Sequence, residues 1–593
     1  MAAILVLCAI CGVWLAIKAS TVKGELEAAS QLIPSLKTAI TEDKPQDAAQ
    51  TAERLQAHTS AARRATTDPL WTLASAAPVI GANFSAVTEV ARSADDVATL
   101  GIAPLVKVFD SLDWDRLTPS SAETDLKPLQ DAAPSVSAAA HAVRVSAARL
   151  GEIDTKQLLP DVARPLDEAR AQLASVTGTL DAASSFSELA PRMMGADEPR
   201  NYLLMIQNNA EARASGGIPG ALAVLTFDRG KLALTGQSSA AALGTMSPTI
   251  GVDPEQQHIY SGRLGKFMQD VNLTPDFPTA ATTAQAMWER KTGQQVDGVI
   301  SVDPVLLSYF LKSVGPVQVT SPELLAITGG KLPTELSERN VVKTLLSDVY
   351  AEIPRPQLQD AYFAGVAQEV FTALSAGKAD AKELVEGITR GTAEGRLLLW
   401  SASKDEQTVI DRYQLGGSIS GPSVSPAQFG VYFNDGTGAK MDYYIKRTVQ
   451  LVKECARDGY EQTTVRITST NTAPADAATS LPEYVTGGGI FGVPPGEVQT
   501  NIISYGPSQA NIETAVIDGK KSEFASYRHG DRPVGTLMIR LAPGQTNTVE
   551  LTFGKIVQHT EPKLVVTPTV QPIKEVILNN ESRDCVAATK TAG

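Results

Sequence analysis

The stretch RNYLLMIQNNAEARASGGIPGALAVLTFDRGKL, residues 200–232, decides how the rest of the chain is read. It holds two apolar runs with strand character, 201–207 and 221–227, on either side of a polar, glycine-rich segment, 207–220. Asp228-Arg229-Gly230 is a turn signal leading to a third strand over 231–237. A two-residue period therefore begins at Arg200, and the organisation of the chain differs on its two sides.

Downstream, helical runs near 280–291, 304–313, 338–352, 359–375 and 379–389 alternate with strands at 296–302 and 396–401. That alternation predicts an α/β layer. Beyond Gly416 the pattern is short strands, such as 443–452, 462–470, 499–505, 535–541 and 547–553. Turn clusters such as Asn434-Asp435-Gly436 and Pro494-Pro495-Gly496 separate them, which predicts a β-sandwich of the immunoglobulin-like kind, without the core tryptophan signature.

Upstream, residues 21–190 are rich in alanine and nearly free of strand pattern. Val22, Leu26, Ala29, Ile33, Leu36 and Ile40 recur at alternating spacings of four and three. Leu159, Val162, Leu166, Ala169, Leu173, Val176, Leu180 and Ala183 do the same, the seam of long packed helices. Breaks at Asp43-Lys44-Pro45, Asp68-Pro69, 78–81 and 118–121 divide the region into four or five helices of a slender bundle or stalk. His58 and His141 fall on its surface or seam, because no carboxylate–histidine spacing accompanies them.

The first residues stand apart. Residues 2–17 carry no charge, although mean hydropathy over the chain is only −0.05. As a helix they would span about 25 Å, somewhat less than a hydrocarbon core of about 30 Å, and Lys18 could snorkel to the interface. A cleaved signal peptide is the rival reading, but Ile17-Lys18-Ala19 is a poor cleavage site and nothing basic precedes the run. The expectation is an uncleaved anchor over 1–19. Lys18 and Lys23 would by themselves place the rest of the chain in the cytoplasm, so a longer, basic N-terminus upstream is expected.

The chain has 593 residues, with Lys+Arg 52 against Asp+Glu 65, a net charge of −13. A general affinity for nucleic acid is excluded on that balance. Of four cysteines, Cys8 and Cys11 lie in the apolar run, where a thiolate would be poorly solvated. Cys455 and Cys585 are the expected disulfide if the distal region is exported; closing so long a loop is worth roughly 4–5 kcal/mol in the chain-entropy model. Two unrelated thiols are the alternative.

Motifs for familiar chemistry are missing: there is no G-x-S-x-G elbow, no Walker loop, no H-E-x-x-H and no EF-hand loop. Gly436-Thr437-Gly438-Ala439-Lys440 precedes a strand and reads as a hairpin turn, not a phosphate loop. The densest unusual stretch is 207–220, where Asn208, Asn209, Glu211 and Arg213 precede Gly216, Gly217 and Gly220. Its backbone N–H groups could form an anion-binding nest with Arg213 supplying charge. Equally, the glycines could serve a tight turn while Glu211 and Arg213 pair with each other. A second cluster, 260–278, carries Arg263, Lys266, Asp270 and Asp276 in a loop-like segment. Asp303 before Pro304 is placed to cap the following helix. The ligand-binding candidates are thus Asn208, Asn209, Glu211, Arg213, Gly216, Gly217, Arg263 and Asp276, with no metal site and no cofactor expected.

The same stretch, 200–232, resembles the core of the bacterial family known as domain of unknown function 4012. The likeness continues through NLTPDFP, VDGVISVDPVLLSYFLKSVGPV, ERNVVKTLLSDVY, EGRLLLWSASKDEQ and GVYFNDGTGAKMDYYIKRTV, and DPLWTLASAAPVIGANFSAV fits the region preceding that core. The resemblance implies an envelope protein of high-GC Gram-positive bacteria, anchored near its N-terminus with its bulk outside, against the local charge count. It implies no reaction. The order of strand, polar loop, strand, helix, V-D-x-V-I-x-V-D, helix and G-P-V is also similar to the LytR-CpsA-Psr phosphotransferase domain, which transfers polyprenyl-linked glycopolymers to the cell wall using arginines and an aspartate-held metal. On that similarity Asn209 falls near the first loop aspartate and Arg213 near a phosphate-binding arginine. The aspartate–threonine pair that opens that family's second strand is replaced here by 217–221, and its late arginine pair has no counterpart around Asp348-Val349-Tyr350. Neutralising a pyrophosphate would be correspondingly harder.

The expected architecture is a multi-domain α+β chain: a membrane helix (1–19), a helical stalk or bundle (20–190), a central α/β, LytR-CpsA-Psr-like domain (191–415) and a β-sandwich (416–593). The expected function is that of a membrane-anchored extracytoplasmic envelope protein handling a cell-wall or lipid-linked glycopolymer. Its expected partners are the membrane, a polyprenyl phosphate or wall glycopolymer, and other envelope proteins. A divalent metal enters only if phosphotransferase chemistry operates. The alternative is a non-catalytic structural or interaction protein of a surface assembly.

Overall fold

A computed structural model describes residues 2–78, 80–111, 124–377, 379–454 and 459–578. It is a mixed α+β chain with a helical N-terminal region and a β-rich C-terminal one, in two compact units. One takes in residues 1–114 and 125–197, the other 115–124 and 198–593. Cys455 and Cys585 lie outside the described residues, so the expected disulfide does too. Cys11 is a free thiol.

The helical unit is built from α1 (Ala2–Thr41), α2 (Pro45–Thr66), α3 (Pro69–Ser75), α4 (Gly81–Asp96), α5 (Ala103–Ser111), α6 (Lys127–Gly151) and α7 (Pro160–Met193). Proline opens α2, α3, α6 and α7, at positions where its missing N–H costs nothing. Alanine dominates the seams: Leu36 and Ala39 of α1 meet Ala48 and Ala52 of α2, and Val22 meets Ala62, Ala65, Trp71 and Ala91. Small side chains let the helices approach closely but bury little area per contact. The seam of α1 follows Val22, Ala29, Leu32, Leu36 and Ala39, while Ile33 and Ile40 stay exposed, one position off the expected stripe. Polar rivets add to it. Arg63 bridges Asp95 (3.0 Å) and Asp96 (2.9 Å), and Arg149 of α6 reaches Asp96 at 2.7 Å.

No break separates the expected anchor from the stalk, because α1 runs unbroken from Ala2 to Thr41. Among the described residues, no helix is long and apolar enough to cross a membrane. From Trp14 onward α1 is docked on its own unit: the indole Nε1 donates to Asp68 (3.3 Å), and Lys18 pairs with the same carboxylate (3.5 Å). Asp68 is also the N-cap of α3, accepting from Leu70 N at 3.0 Å. Ile10, Val13 and Ile17 remain exposed.

In the second unit, β1 (Arg200–Arg213), β2 (Gly216–Asp228), β3 (Lys231–Ser239), β4 (Gly298–Val302) and β7 (Leu398–Ser401) form one sheet in the order β3-β2-β1-β4-β7. Only β1 and β4 run parallel. Between them come α8 (Pro254–Tyr260) and α9 (Phe277–Thr292), and α10 (Pro304–Val314) follows β4. Leu203, Met205, Leu222 and Val224 of the sheet pack on Phe277, Ala281 and Met287 of α9. A short pair, β5 (Val317–Gln318) and β6 (Glu335–Leu336), sits in a helical subcluster reaching to Leu374. The helix expected over 338–352 runs without a gap from Val341 to Glu352, with a π-helical turn over Thr344–Asp348 in its middle.

The remaining strands are β8 (Gln428–Asp435), β9 (Ile445–Lys453), β10 (Glu461–Asn471), β11 (Val498–Tyr505), β12 (Asn511–Ile517), β13 (Lys520–Ser522), β14 (Ala525–His529), β15 (Arg532–Leu541), β16 (Thr546–Ile556), β17 (Lys563–Val566) and β18 (Lys574–Leu578). They form two sheets, β13-β12-β16-β10-β9-β18 and β14-β15-β11-β8-β17. Alternate residues face a shared core, including Phe429, Val431 and Phe433 from β8, Val465 and Ile467 from β10, and Val549, Leu551 and Phe553 from β16. The α/β layer and the sandwich, expected as two domains, fall in one compact unit.

The reason lies in residues 207–220, which are not a loop. β1 and β2 continue pairing to Arg213↔Gly216, with register shifts at Ile206/Gln207 and Asn208/Ala212, and turn through Ala214-Ser215. The hairpin tip enters the sandwich: Ala212 is part of its core, and Ala214 O accepts from Thr567 Oγ1 at 2.8 Å. So polar a segment can be buried because the sandwich supplies the partners it needs.

Candidate functional site

Around the hairpin tip the sequence brings charges from four separate segments together. Glu211 accepts from Arg213 (3.0 Å) on one oxygen and from Lys440 (2.7 Å) on the other. The Arg213 guanidinium also reaches Asp270 (3.5 Å) and Ala212 O (3.0 Å), and only 6% of the residue is exposed. Arg263 meets the second Asp270 oxygen at 2.7 Å. Asp442, itself paired with Arg447 at 2.7 Å, accepts from Ala212 N at 3.2 Å, and Asn434 accepts from Ala214 N at 2.8 Å.

These neighbours set the protonation states. Burial pushes the Glu211 carboxyl up, but Lys440 and Arg213 outweigh it and hold the group below the ordinary range. Asp435 is pushed up to about 7 by burial and by the charges of Glu211 and Asp442. Its oxygens accept from the N–H groups of Thr437 (3.0 Å), Gly438 (2.6 Å) and Ala439 (3.4 Å). The turn after β8 therefore spends its N–H groups on its own aspartate, which is why this glycine-rich segment offers no phosphate cradle.

Beside this network lies an open cleft of about 720 Å³ on the outer face of the β11–β15 pair. Glu211, Arg213, Arg263, Asp270 and Asp435 line it together with the amides of Gln269, Asn434 and Asn501. Its apolar walls are Ile218, Ile259, Phe267, Leu537, Met538 and Phe491. The carboxylates and guanidiniums largely cancel, so the cleft has no surplus positive charge.

Of the sequence-predicted residues, Glu211, Arg213 and Arg263 come together at this cleft. The others do not line it. Asn208 donates to the Tyr350 hydroxyl and accepts from Ala210 N (3.0 Å). Asn209, 1% exposed, donates to Asp303 (3.0 Å) and to Pro568 O (3.2 Å). Gly217 N donates to Gln207 Oε1 (3.0 Å), and a Cβ on Gly216 would collide with that same oxygen. The glycines thus serve close packing and not an anion nest. Asp276 caps α9, accepting from Thr279 N (3.3 Å) and Thr279 Oγ1 (2.6 Å). Asp303 caps α10 as expected, accepting from Leu306 N (2.8 Å), and also binds Arg396 (2.7 Å). Among the described residues no group of three or more His, Cys, Asp or Glu could hold a metal ion. Lys440, Asp435, Asp442 and Arg447 are not among the ligand-binding candidates of the sequence: they lie more than 200 residues from the hairpin, and the segment 430–449 that holds them reads there only as a turn and as part of the family resemblance.

Residues 197–350 match the model of the family described as Protein of unknown function (DUF4012), in agreement with the resemblance carried by the β1–β2 stretch. The match takes in the hairpin, Arg263, Asp270 and Tyr350, whereas Asp435, Lys440, Phe491 and Asn501 lie beyond it. No curated protein matches the chain.

Proposed function

We propose that this is a membrane-anchored, extracytoplasmic envelope protein that holds a neutral glycan chain in the cleft without transferring it. The observation that carries the reading is the charge state of the cleft. Its two arginines converge on Asp270, and Arg213 is shared with Glu211 as well. Phosphoryl transfer needs cationic groups free to stabilise developing charge, and here they are already neutralised by carboxylates. What is left is a set of amide donors and acceptors between apolar walls, the pattern that orients an uncharged polyhydroxyl ligand. The anchor is the uncharged start of α1, whose exposed Ile10, Val13 and Ile17 form an apolar face that water does not favour.

A second reading, a structural module with no ligand, is favoured by one observation: the hairpin tip and its charges are satisfied internally and clamp two layers together. Titration calorimetry decides between these. Neutral oligosaccharides are expected to bind saturably, while farnesyl pyrophosphate, a soluble polyprenyl pyrophosphate, is not. Binding of the pyrophosphate alone would revive transfer, and binding of neither would leave the structural module.

A further inference from the structure

The rim of the cleft carries a side chain with no evident structural task. Residues 487–492 read Gly-Gly-Gly-Ile-Phe-Gly, and all four glycines take positive φ (76°, 57°, 78° and 77°). A chain that tight in the left-handed region puts its two large apolar residues outward: Ile490 is 75% exposed and Phe491 69%. Phe491 nevertheless lines the cleft. Its ring lies over Gly438, where a Cβ would collide with the ring carbons, so the glycine at 438 gives the ring its seat. A phenyl group left in water at the edge of a polar cleft contributes nothing to the core. It does offer a flat apolar face beside hydrogen-bonding groups.

Gln269 and Asn501 also line the cleft, and their side-chain amides make no hydrogen bond to another described residue. Arg263 presents its guanidinium over Phe267 at 5.0 Å from the ring centroid, with most of that side chain in solvent. A flat exposed ring and planar amides lining one cleft match a ligand that has an apolar face and a rim of hydroxyls. A pyranose with equatorial hydroxyls is such a ligand, because its axial C–H bonds all point to its faces. Those weakly positive hydrogens meet the negative face of an aromatic ring. A furanose ring, puckered and with hydroxyls on both faces, presents no comparable surface.

We infer that Phe491 is the stacking platform of the cleft and makes it selective for a chain of equatorially substituted pyranoses over a furanose chain. This rests on the glycan-binding reading above. The test is titration calorimetry on the full chain with chitotetraose and with a linear arabinofuranosyl tetramer, comparing wild type with Phe491→Ala and Phe491→Trp. Wild type is expected to bind chitotetraose at least tenfold more tightly than the furanoside. Phe491→Ala should lose that tenfold preference, and Phe491→Trp should retain it, with indole fluorescence changing on saturation. Because the ring is exposed, the melting temperature of the alanine variant should match wild type, which separates lost stacking from lost fold. Wild-type binding of chitotetraose that Phe491→Ala leaves unchanged, or equal affinity for both oligosaccharides, would overturn the stacking role alone. No wild-type binding of either would overturn the glycan-binding reading together with it.

Discussion

Replacing Glu211 by glutamine tests the interpretation of the hairpin tip most directly. The substitution keeps the shape of the side chain and removes one negative charge that faces two buried cations, Arg213 and Lys440. Arg213 keeps Asp270 as a partner at 3.5 Å. Lys440 loses the carboxylate it pairs with and keeps an uncharged amide oxygen, the charge of Asp360 and the faces of Tyr350 and Tyr484, with ring centroids 5.7 and 5.3 Å from its Nζ. Removing the paired counter-charge of a buried cation costs up to about 3–5 kcal/mol. For a unit of roughly 400 residues, with about 2.1 cal/mol/K of unfolding entropy per residue, that is a fall of about 4–6 °C in its melting temperature. Differential scanning calorimetry of the full chain at pH 7 reads this shift, expected in the transition of the second unit and not in that of the helical unit. Adding Lys440→Met should recover part of the loss, giving a coupling energy of about 1–3 kcal/mol between the two positions. A shift below 1 °C, or strict additivity of the two substitutions, would refute the claim that these charges stabilise the hairpin by pairing in the interior.

The carboxyl of Asp435 gives a pH dependence of opposite sense to that of Glu211. A folded-state value of about 7, against 3.8 for the free side chain, means that the folded state holds the proton more tightly. Its contribution is complete near pH 4 and is lost as pH rises towards 7, by at most about 4 kcal/mol. Asp435→Asn should abolish this slope between pH 5 and 7 in urea unfolding of the second unit; an unchanged slope would count against it. The hairpin glycines give a steric test. A Cβ on Gly217 would collide with the Asn208 backbone, while one on Gly220 has its nearest neighbour, Ile206 O, at 4.0 Å. Gly217→Ala should therefore lower the melting temperature of the second unit by several degrees or prevent soluble expression, and Gly220→Ala should change it by less than 2 °C. Equal effects would show that the tip is not packed as described.

The architecture was legible where local pattern and tertiary environment agree. Alanine at heptad spacing is compatible only with close helices, and the seam from Val22 to Ala39 followed. Its one-residue drift has a plain cause. Ile33 and Ile40 are better hydrophobes than Leu32 and Ala39 taken together, but Ala39 admits the closer approach of α2 at Ala48 and Ala52. The polar run after Gln207 was not legible in the same way. Its composition is that of a loop, and it becomes paired strand because Lys440 supplies a counter-charge to Glu211 while Asp442 and Asn434 accept from the backbone N–H groups of Ala212 and Ala214. Asp276 is the complementary case: the basic and acidic residues around it suggest binding, whereas its place one residue before Phe277-Pro278 makes it the cap of α9.

The arrangement at the tip also explains why a binding cleft and a stabilising network occupy one place. At the hairpin tip Glu211 and Arg213 alternate with alanines, so the small Ala212 and Ala214 enter the sandwich cores while the charged side chains, themselves buried, line the floor of the cleft. Ala212 reaches the core of Phe429 and Val431, and Ala214 that of Tyr432 and Tyr505. No larger side chain would let the tip penetrate so far. Once it has entered, the charges must sit at the edge of the sheet, where Asp270 and Arg263 meet them from the segment before α9. The polar floor of the cleft is therefore a consequence of inserting the hairpin. That predicts a coupling: a ligand held against Gln269, Asn501 and Phe491 should raise the melting temperature of the second unit in wild type. The rise should be smaller in Glu211→Gln, whose floor is no longer neutral. An equal rise in both proteins would mean that the ligand binds without contact with the network.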